Sequence, residues 1–318
     1  MIEQRRLGRT GLMVSALGFG CGAVGGLMVR GDAADQQRAV GTALDAGITY
    51  FDTAADYGAG ASETNLGRAL KALKTTPVVG TKVRIRPEQK PDMAGAIMAS
   101  MEASLARLGM DKVHLFQLHN PITLVETPTT LTPAQVVAQV LPAFEQLRAA
   151  GKALWFGFTA IGDDRALRDA MATGGLASAQ VPFNLLNGAP GSVQSSLLEH
   201  AAAGDIGTIG IRILAGGALS GAEARGPLGT PNVAPIASGE SYAADVAAAR
   251  RLLPLIHAGH AETLVEAAIR FAMGAAAMHT ALIGLGSQQE LDLALKAARQ
   301  GALTHAALAE AAALQPPR

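Results

Sequence analysis

The sequence is poor in cysteine, in aromatic residues and in net charge, and each shortage excludes something. Cys21 is the one cysteine in 318 residues, so no internal disulfide forms and no oxidising compartment is required. The clustered cysteine ligands of a structural zinc site are missing for the same reason. Lys and Arg total 26 against 26 Asp and Glu, a formal net charge of zero. A general binder of nucleic acid or of an anionic membrane needs a basic excess; a local basic pocket remains compatible with this balance. Charged residues make up only 16% and hydrophobic ones 49%, enough to fill a large core and to exclude disorder. The length exceeds that of a typical domain, but α/β barrels run to roughly 250 residues or more as one unit.

Long uncharged runs are also scarce. The segment that invites a membrane or signal reading is 11–29, GLMVSALGFGCGAVGGLMV, which follows Arg5, Arg6 and Arg9. Six of its positions are glycine, which weakens both helicity and apolar transfer. It reads better as a strand followed by a Gly-rich loop. No membrane partner is expected, and a cytoplasmic location is.

What the chain does have is alternation. Short apolar runs compatible with strands buried on both faces recur at 16–20, 49–53, 78–82, 113–119, 153–159, 179–183, 208–214 and 280–285. Helical stripes stand between them. Val40, Ala43 and Leu44 precede Gly47. Leu66, Leu70 and Leu73 are entered through Ser62. Ile97, Met101, Leu105 and Leu108 run from Asp92 to Gly109, and Thr132-Pro133 opens a stripe that ends at Gly151. Leu167, Ala170 and Met171 end at Gly174, and Leu197, Leu198 and Ala201 at Gly204. Eight strand–helix units predict an α/β fold, a closed (β/α)8 TIM barrel forming a single domain over 1–318. An open doubly wound sheet is the alternative. Gly20, Gly22 and Gly25 match GxGxxG in spacing, but no helical stripe follows directly. In either fold this loop, with Gly22 and Ala23, suits close backbone approach to a ligand. Two long connections, 120–132 and 215–241, leave the fourth and seventh strands at the face where barrel sites lie.

Polar residues gather where the second, third and fourth strands end: Asp52, with Tyr57 just beyond, then Lys82 and His119. Each alone has an ordinary reading as a loop hydrogen-bonder, a loop aromatic, a solvated lysine or a structural histidine. Together, on adjacent strand ends, they form a complementary set. A phenol with a reference pKa near ~10 is a poor proton donor, a nearby ammonium lowers that value, a carboxylate holds the ammonium, and an imidazole donates to a carbonyl oxygen. Such a set would protonate an alkoxide as it forms, with hydride supplied by a nicotinamide cofactor.

These residues carry a family resemblance. RRLGRTGLMVSALGFG at the N-terminus, FDTAADYGAGASETNLGRAL at 51–70, VVGTK, LHN and the PFN that follows Gln180 make the chain resemble the aldo-keto reductases over essentially its whole length. The resemblance implies an N-terminal β-hairpin and a catalytic tetrad of Asp52, Tyr57, Lys82 and His119, with Tyr57 the proton donor. It implies NADP(H), less often NAD(H), bound across the barrel mouth, and a small-molecule carbonyl or alcohol as substrate. Gln180 matches a glutamine that contacts the nicotinamide carboxamide, and Thr159 keeps a hydroxyl where the family often has Ser-Asn. Arg212 and Leu214 fall where an aromatic-containing run is common, with Arg212 placed to face the pyrophosphate or stack. Gly286, Ser287 and Glu290 occupy the stretch that often holds a cation for the 2′-phosphate; the carboxylates of Glu290 and Asp292, if they face the site, disfavour a phosphate. Trp155 and Phe183 are aromatics that would approach the pocket.

Two other classes fit less of the sequence. A metal-dependent barrel hydrolase needs three or more His, Asp or Glu ligands at strand ends, and only Asp52 and His119 clearly stand there. A non-catalytic, cofactor-sensing partner subunit would carry the same tetrad. Cys21 is expected to pack beside the first strand, without a partner thiol for redox work.

Overall fold

The computed structural model describes residues 1–315 apart from 225, 235 and 237–239. Two short strands, β1 (Gln4–Arg6) and β2 (Met13–Ser15), pair antiparallel as the expected hairpin. The eight expected strands follow as β3 (Leu17–Gly20), β4 (Tyr50–Asp52), β5 (Val78–Val83), β6 (Val113–Leu118), β7 (Ala153–Thr159), β8 (Ser178–Pro182), β9 (Gly207–Ile211) and β10 (Thr280–Gly284). All pair in parallel in chain order, and β10 returns to β3, closing the barrel. The open doubly wound sheet is thereby excluded. Among the described residues no helix is long and apolar enough to cross a membrane. The 11–29 segment resolves into β2, β3, a turn and a one-turn helix, Leu27–Arg30.

The helix ends are largely those the sequence marks. Asp92 caps Met93–Leu108 by accepting from the Gly95 amide, and Gly109 ends it at φ 62°, where a side chain would be strained. Thr132 and Gln135 form a reciprocal cap ahead of Pro133. The stripe then passes through a π-turn at Val136–Val140 before Leu141–Ala149, because Pro142 has no amide to continue the regular ladder. One expectation is corrected. Ala61–Leu73 is capped by Gly60, not entered through Ser62; the Ser62 side chain lies inside, donating to the Cys21 carbonyl and bonding Thr53.

Two apolar regions follow from strand alternation. Outward residues such as Phe51, Val79, Phe116, Phe156 and Ile283 pack with the helices in the main core. Inward residues Tyr50, Leu115, Ile209 and Leu282 fill the barrel, and Leu7 and Val14 of the hairpin pack into the same cluster from the N-terminal end. Above this plug the inward positions turn polar, which is what makes a site.

Candidate functional site

Register places the polar groups. Asp52 at the end of β4 is level with Gly20 of β3 and Gly80 of β5, and the missing side chain at Gly80 makes room for the Tyr50 hydroxyl. Lys82 is level with Gln117, and Thr159 with Gln180. Tyr57 comes from the loop after β4, where its amide donates to the Ala54 carbonyl. Arg84, just beyond β5, donates to Asp56 at 2.6 Å and ties this loop to its neighbour. The His119 amide donates to the Val83 carbonyl at 2.8 Å, holding the imidazole at the mouth.

The four side chains do converge. Lys82 is fully buried, and its Nζ donates to Asp52 Oδ1, to the Thr53 carbonyl at 2.7 Å and to the Tyr57 hydroxyl at 3.2 Å. Tyr57 meets the edge of the His119 ring at a centroid distance of 5.9 Å. Asp52 Oδ2 accepts from the Tyr50 hydroxyl at 2.8 Å, Gln180 at 2.6 Å and Gln117 at 3.3 Å. One buried carboxylate thus collects four donors, which offsets the cost of removing its charge from water.

The electrostatics revise one expectation. Burial pushes the Tyr57 phenol above its usual value; the Lys82 ammonium pulls it down, but by less. In the unliganded protein Tyr57 is therefore a protonated phenol with a lysine poised to take up developing charge. Lys82 itself is held above its usual value, because Asp52 and Tyr57 together outweigh the burial that acts against its charge. The His119 imidazole is driven down to about 2 by burial and by Lys82, Arg84 and Arg212, so it is neutral at any ordinary pH. Its Nδ1 is buried without a partner. A bare lone pair there costs less than an unpaired N–H, so the favoured tautomer carries its proton on Nε2 as a donor.

The remaining predicted contacts fall into two groups. Thr159 fits a polar ligand, since its hydroxyl is buried at the end of β7 with no partner. Gly22 lies beside the Tyr57 ring, and the Ala23 carbonyl accepts from Thr230 at 2.7 Å, so the loop after β9 reaches over to the loop after β3. Arg212 has a left-handed backbone, φ 57°, and its carbonyl accepts from the buried Asn184 side chain. The Leu214 carbonyl accepts the Gly217 and Leu219 amides. Gln180 is different from expectation: its amide donates downward to Asp52. Ser287 caps Gln288–Arg299 by accepting from the Glu290 amide, and the Glu290 carboxylate accepts the Gly286 amide at 2.7 Å. That carboxylate already occupies the start of the helix.

Three further expectations are corrected or located. Trp155 lies four residues before Thr159 and packs at the barrel's interior cluster, away from the mouth. Phe183 is buried and stacks on Phe271 at 5.1 Å. Cys21 is buried, and burial raises its thiol well above the usual range, so it is inert as a nucleophile. Among the described residues no group of three His, Cys, Asp or Glu could hold a metal ion. Sequence reading missed Tyr50 and Gln117. Both stand two residues from a named site residue on an inward strand face, and that period-two spacing is the signal that identifies them.

Comparison with known proteins agrees with this fold. Residues 16–315 match the aldo/keto reductase family. L-galactose dehydrogenase from Arabidopsis thaliana is 34% identical over 163 residues, covering 50% of this chain and 49% of that protein. Aldo-keto reductase YhdN from Bacillus subtilis is 30% identical over 229 residues, covering 69% of this chain and 64% of that protein. The matched part thus spans about half to two thirds of these relatives' own length. An aldo-keto reductase from Klebsiella pneumoniae, solved in complex with NADPH, superposes with a TM-score of 0.72 at 20% identity, covering 100% of this chain and 96% of that one, which bears on the fold alone. Barrel closure, the side chains at its mouth and the match over residues 16–315 lead to one conclusion: the chain belongs to the aldo/keto reductase family.

Proposed function

We propose that this protein is a nicotinamide-dependent oxidoreductase that interconverts a small carbonyl compound and its alcohol, with Tyr57 as the proton-transferring group. The observation that carries the reading is the unbroken hydrogen-bonded line from Asp52 through Lys82 Nζ to the Tyr57 hydroxyl, beside a neutral imidazole. A phenol is a weak acid until the negative charge it acquires is stabilised. Lys82 stands 3.2 Å from that oxygen and is held cationic by Asp52. Proton donation from Tyr57 to a forming alkoxide is therefore favoured at the moment charge develops. His119 Nε2 donates to the carbonyl oxygen and orients it, and being neutral it does not compete as a strong acid.

When bound, NADP(H) or NAD(H) supplies or accepts the hydride. The site fits such a group: the buried Thr159 hydroxyl wants a partner, and Gly22, Ala23, Arg212, Leu214, Gly286 and Ser287 border the mouth from loops after β3, β9 and β10. Glu290 opposes an additional phosphate near Gly286, so NADH is a real competitor of NADPH.

The test is Tyr57→Phe. Carbonyl reduction should fall by about 10²–10⁴-fold, while NADPH or NADH binding, followed by fluorescence, should stay within a factor of about two. A variant that reduces carbonyls as well as wild type removes Tyr57 from the role. Tight dinucleotide binding by wild type without turnover of any carbonyl in a broad panel supports the cofactor-sensing partner instead.

A further inference from the structure

We propose that Tyr50, a second phenol buried beneath the site, is a positioning residue that orients Asp52 and thereby sets how strongly Lys82 acts on Tyr57. The inference rests on the reading of Tyr57 as proton donor.

Three observations carry it. Tyr50 is fully buried inside the barrel, and its hydroxyl donates to Asp52 Oδ2 at 2.8 Å. Lys82 uses the other oxygen, Oδ1, so the two contacts divide the carboxylate and fix its plane. The space for the phenol is cut by glycines on both neighbouring strands: a Cβ at Gly80 would overlap the Tyr50 hydroxyl, and one at Gly18 would press on the ring edge. A phenylalanine would keep the ring among Leu115, Ile209 and Leu282 and vacate only the small space beside Gly80. What the hydroxyl adds beyond that small volume is its hydrogen bond to Asp52.

The consequence is electrostatic. Tyr50 and the amides of Gln117 and Gln180 share the charge on Oδ2. A hydrogen bond to the charged form favours that form and spreads its charge. Burial and the adjacent carboxylate hold the Tyr50 phenol far above its ordinary value, so it stays a donor and never competes as the acid. The two phenols are thus split in role by their partners: Tyr50 faces an anion, Tyr57 a cation. Removing the Tyr50 hydroxyl concentrates negative charge on Asp52. Lys82 is then drawn toward Asp52 and away from Tyr57, and the Tyr57 phenolate becomes harder to form. The other groups facing Tyr57 and its neighbours are Cys21 from the β3 loop, His119 from β6, Arg84 with Asp56 at the mouth, and Arg212 beyond β9. The groups that act on Tyr50 itself are Asp52, Gln180 and Gln117.

The experiment compares wild type, Tyr50→Phe, Tyr57→Phe and Leu282→Val, the last a packing lesion in the same layer that removes no donor. Tyr50→Phe should leave KM and dinucleotide affinity within about twofold and lower kcat about tenfold. In alcohol oxidation the limb that rises with pH should move upward by about 0.5–1 unit. Ultraviolet titration should move the Tyr57 phenol the same way, made tractable by a chain with only 3 tyrosines. Leu282→Val should lower the thermal midpoint without moving either pH readout. An unmoved or downward-shifted profile in Tyr50→Phe, or the same shift in Leu282→Val, overturns the proposal. If wild type reduces no carbonyl, or Tyr57→Phe is as active as wild type, the functional reading fails instead. If Tyr57→Phe is inactive and Tyr50→Phe is silent, the positioning role alone fails.

Discussion

Lys82→Met isolates the buried ion pair on which the site is built. The lysine side chain is 0% exposed and its partner Asp52 4%. Methionine fills most of the same volume but leaves the carboxylate without a cation. Breaking one half of a buried pair costs about 3–5 kcal/mol, because the remaining charge is uncompensated. Here Tyr50, Gln180 and Gln117 still donate to Oδ2, so the lower end, about 3 kcal/mol, is expected. At about 2 °C per kcal/mol for a chain of this size, the thermal midpoint should fall by about 6 °C. Carbonyl reduction should drop by about 10²–10⁴-fold with it, since the Tyr57 hydroxyl loses the ammonium that donates to it. The decisive measurement is the double variant Lys82→Met/Asp52→Asn. With neither charge present, denaturant unfolding should return to within about 1 kcal/mol of wild type, while activity stays lost. A single variant as stable as wild type, or a double variant no better than the single, would show that the pair is not what the lysine contributes.

Three further outcomes are expected. His119 has a folded-state value far below its ordinary 6.5, so the unfolded chain binds the proton first and stability falls as pH drops from 6.5 toward 2; His119→Gln should remove up to about 1 kcal/mol per pH unit of that slope in urea unfolding, and parallel curves would argue against a neutral, buried imidazole. Thr159→Val replaces an unpaired buried hydroxyl with an isostere, so the unliganded protein should gain about 0.5–1 kcal/mol while dinucleotide affinity falls about fivefold; equal affinity in calorimetry would remove Thr159 from the ligand's contacts. Glu290→Gln keeps an acceptor for the Gly286 amide but removes the charge, and should tighten NADPH about two- to fivefold with NADH unchanged; equal changes for both dinucleotides would place the ribose elsewhere.

Much of the fold is legible in the sequence, for identifiable reasons. Strands buried on both faces write themselves as apolar runs, and Asp92, Gly109 and Thr132-Pro133 mark helix ends through local chemistry alone. That Asp52, Tyr57, Lys82 and His119 lie close together is readable because each sits near a strand end on one face of the barrel. What escaped was whatever depends on register between strands. Tyr50 reads as one more apolar strand residue until β4 is paired with β5 and its hydroxyl is seen level with a glycine. Gln180 sits at the expected position, yet its amide points to Asp52, a partner 128 residues away. The Tyr57 shift was misjudged because a pairwise argument with Lys82 omits the burial that outweighs it. Ser62 was mistaken for a cap because its hydroxyl is a good one in isolation, while Gly60, at φ 92°, turns the chain first.

The hairpin that stoppers one end of the barrel has a kinetic corollary. With Leu7 and Val14 wedged among the interior side chains, that end of the barrel is closed by packing, and the polar side chains lie toward the strand tips. On the proposed reading, dinucleotide and carbonyl compound would both enter from the side of the strand tips. If one of them covers the other there, product-inhibition patterns should be those of a compulsory queue; patterns of random addition would show that each has its own path.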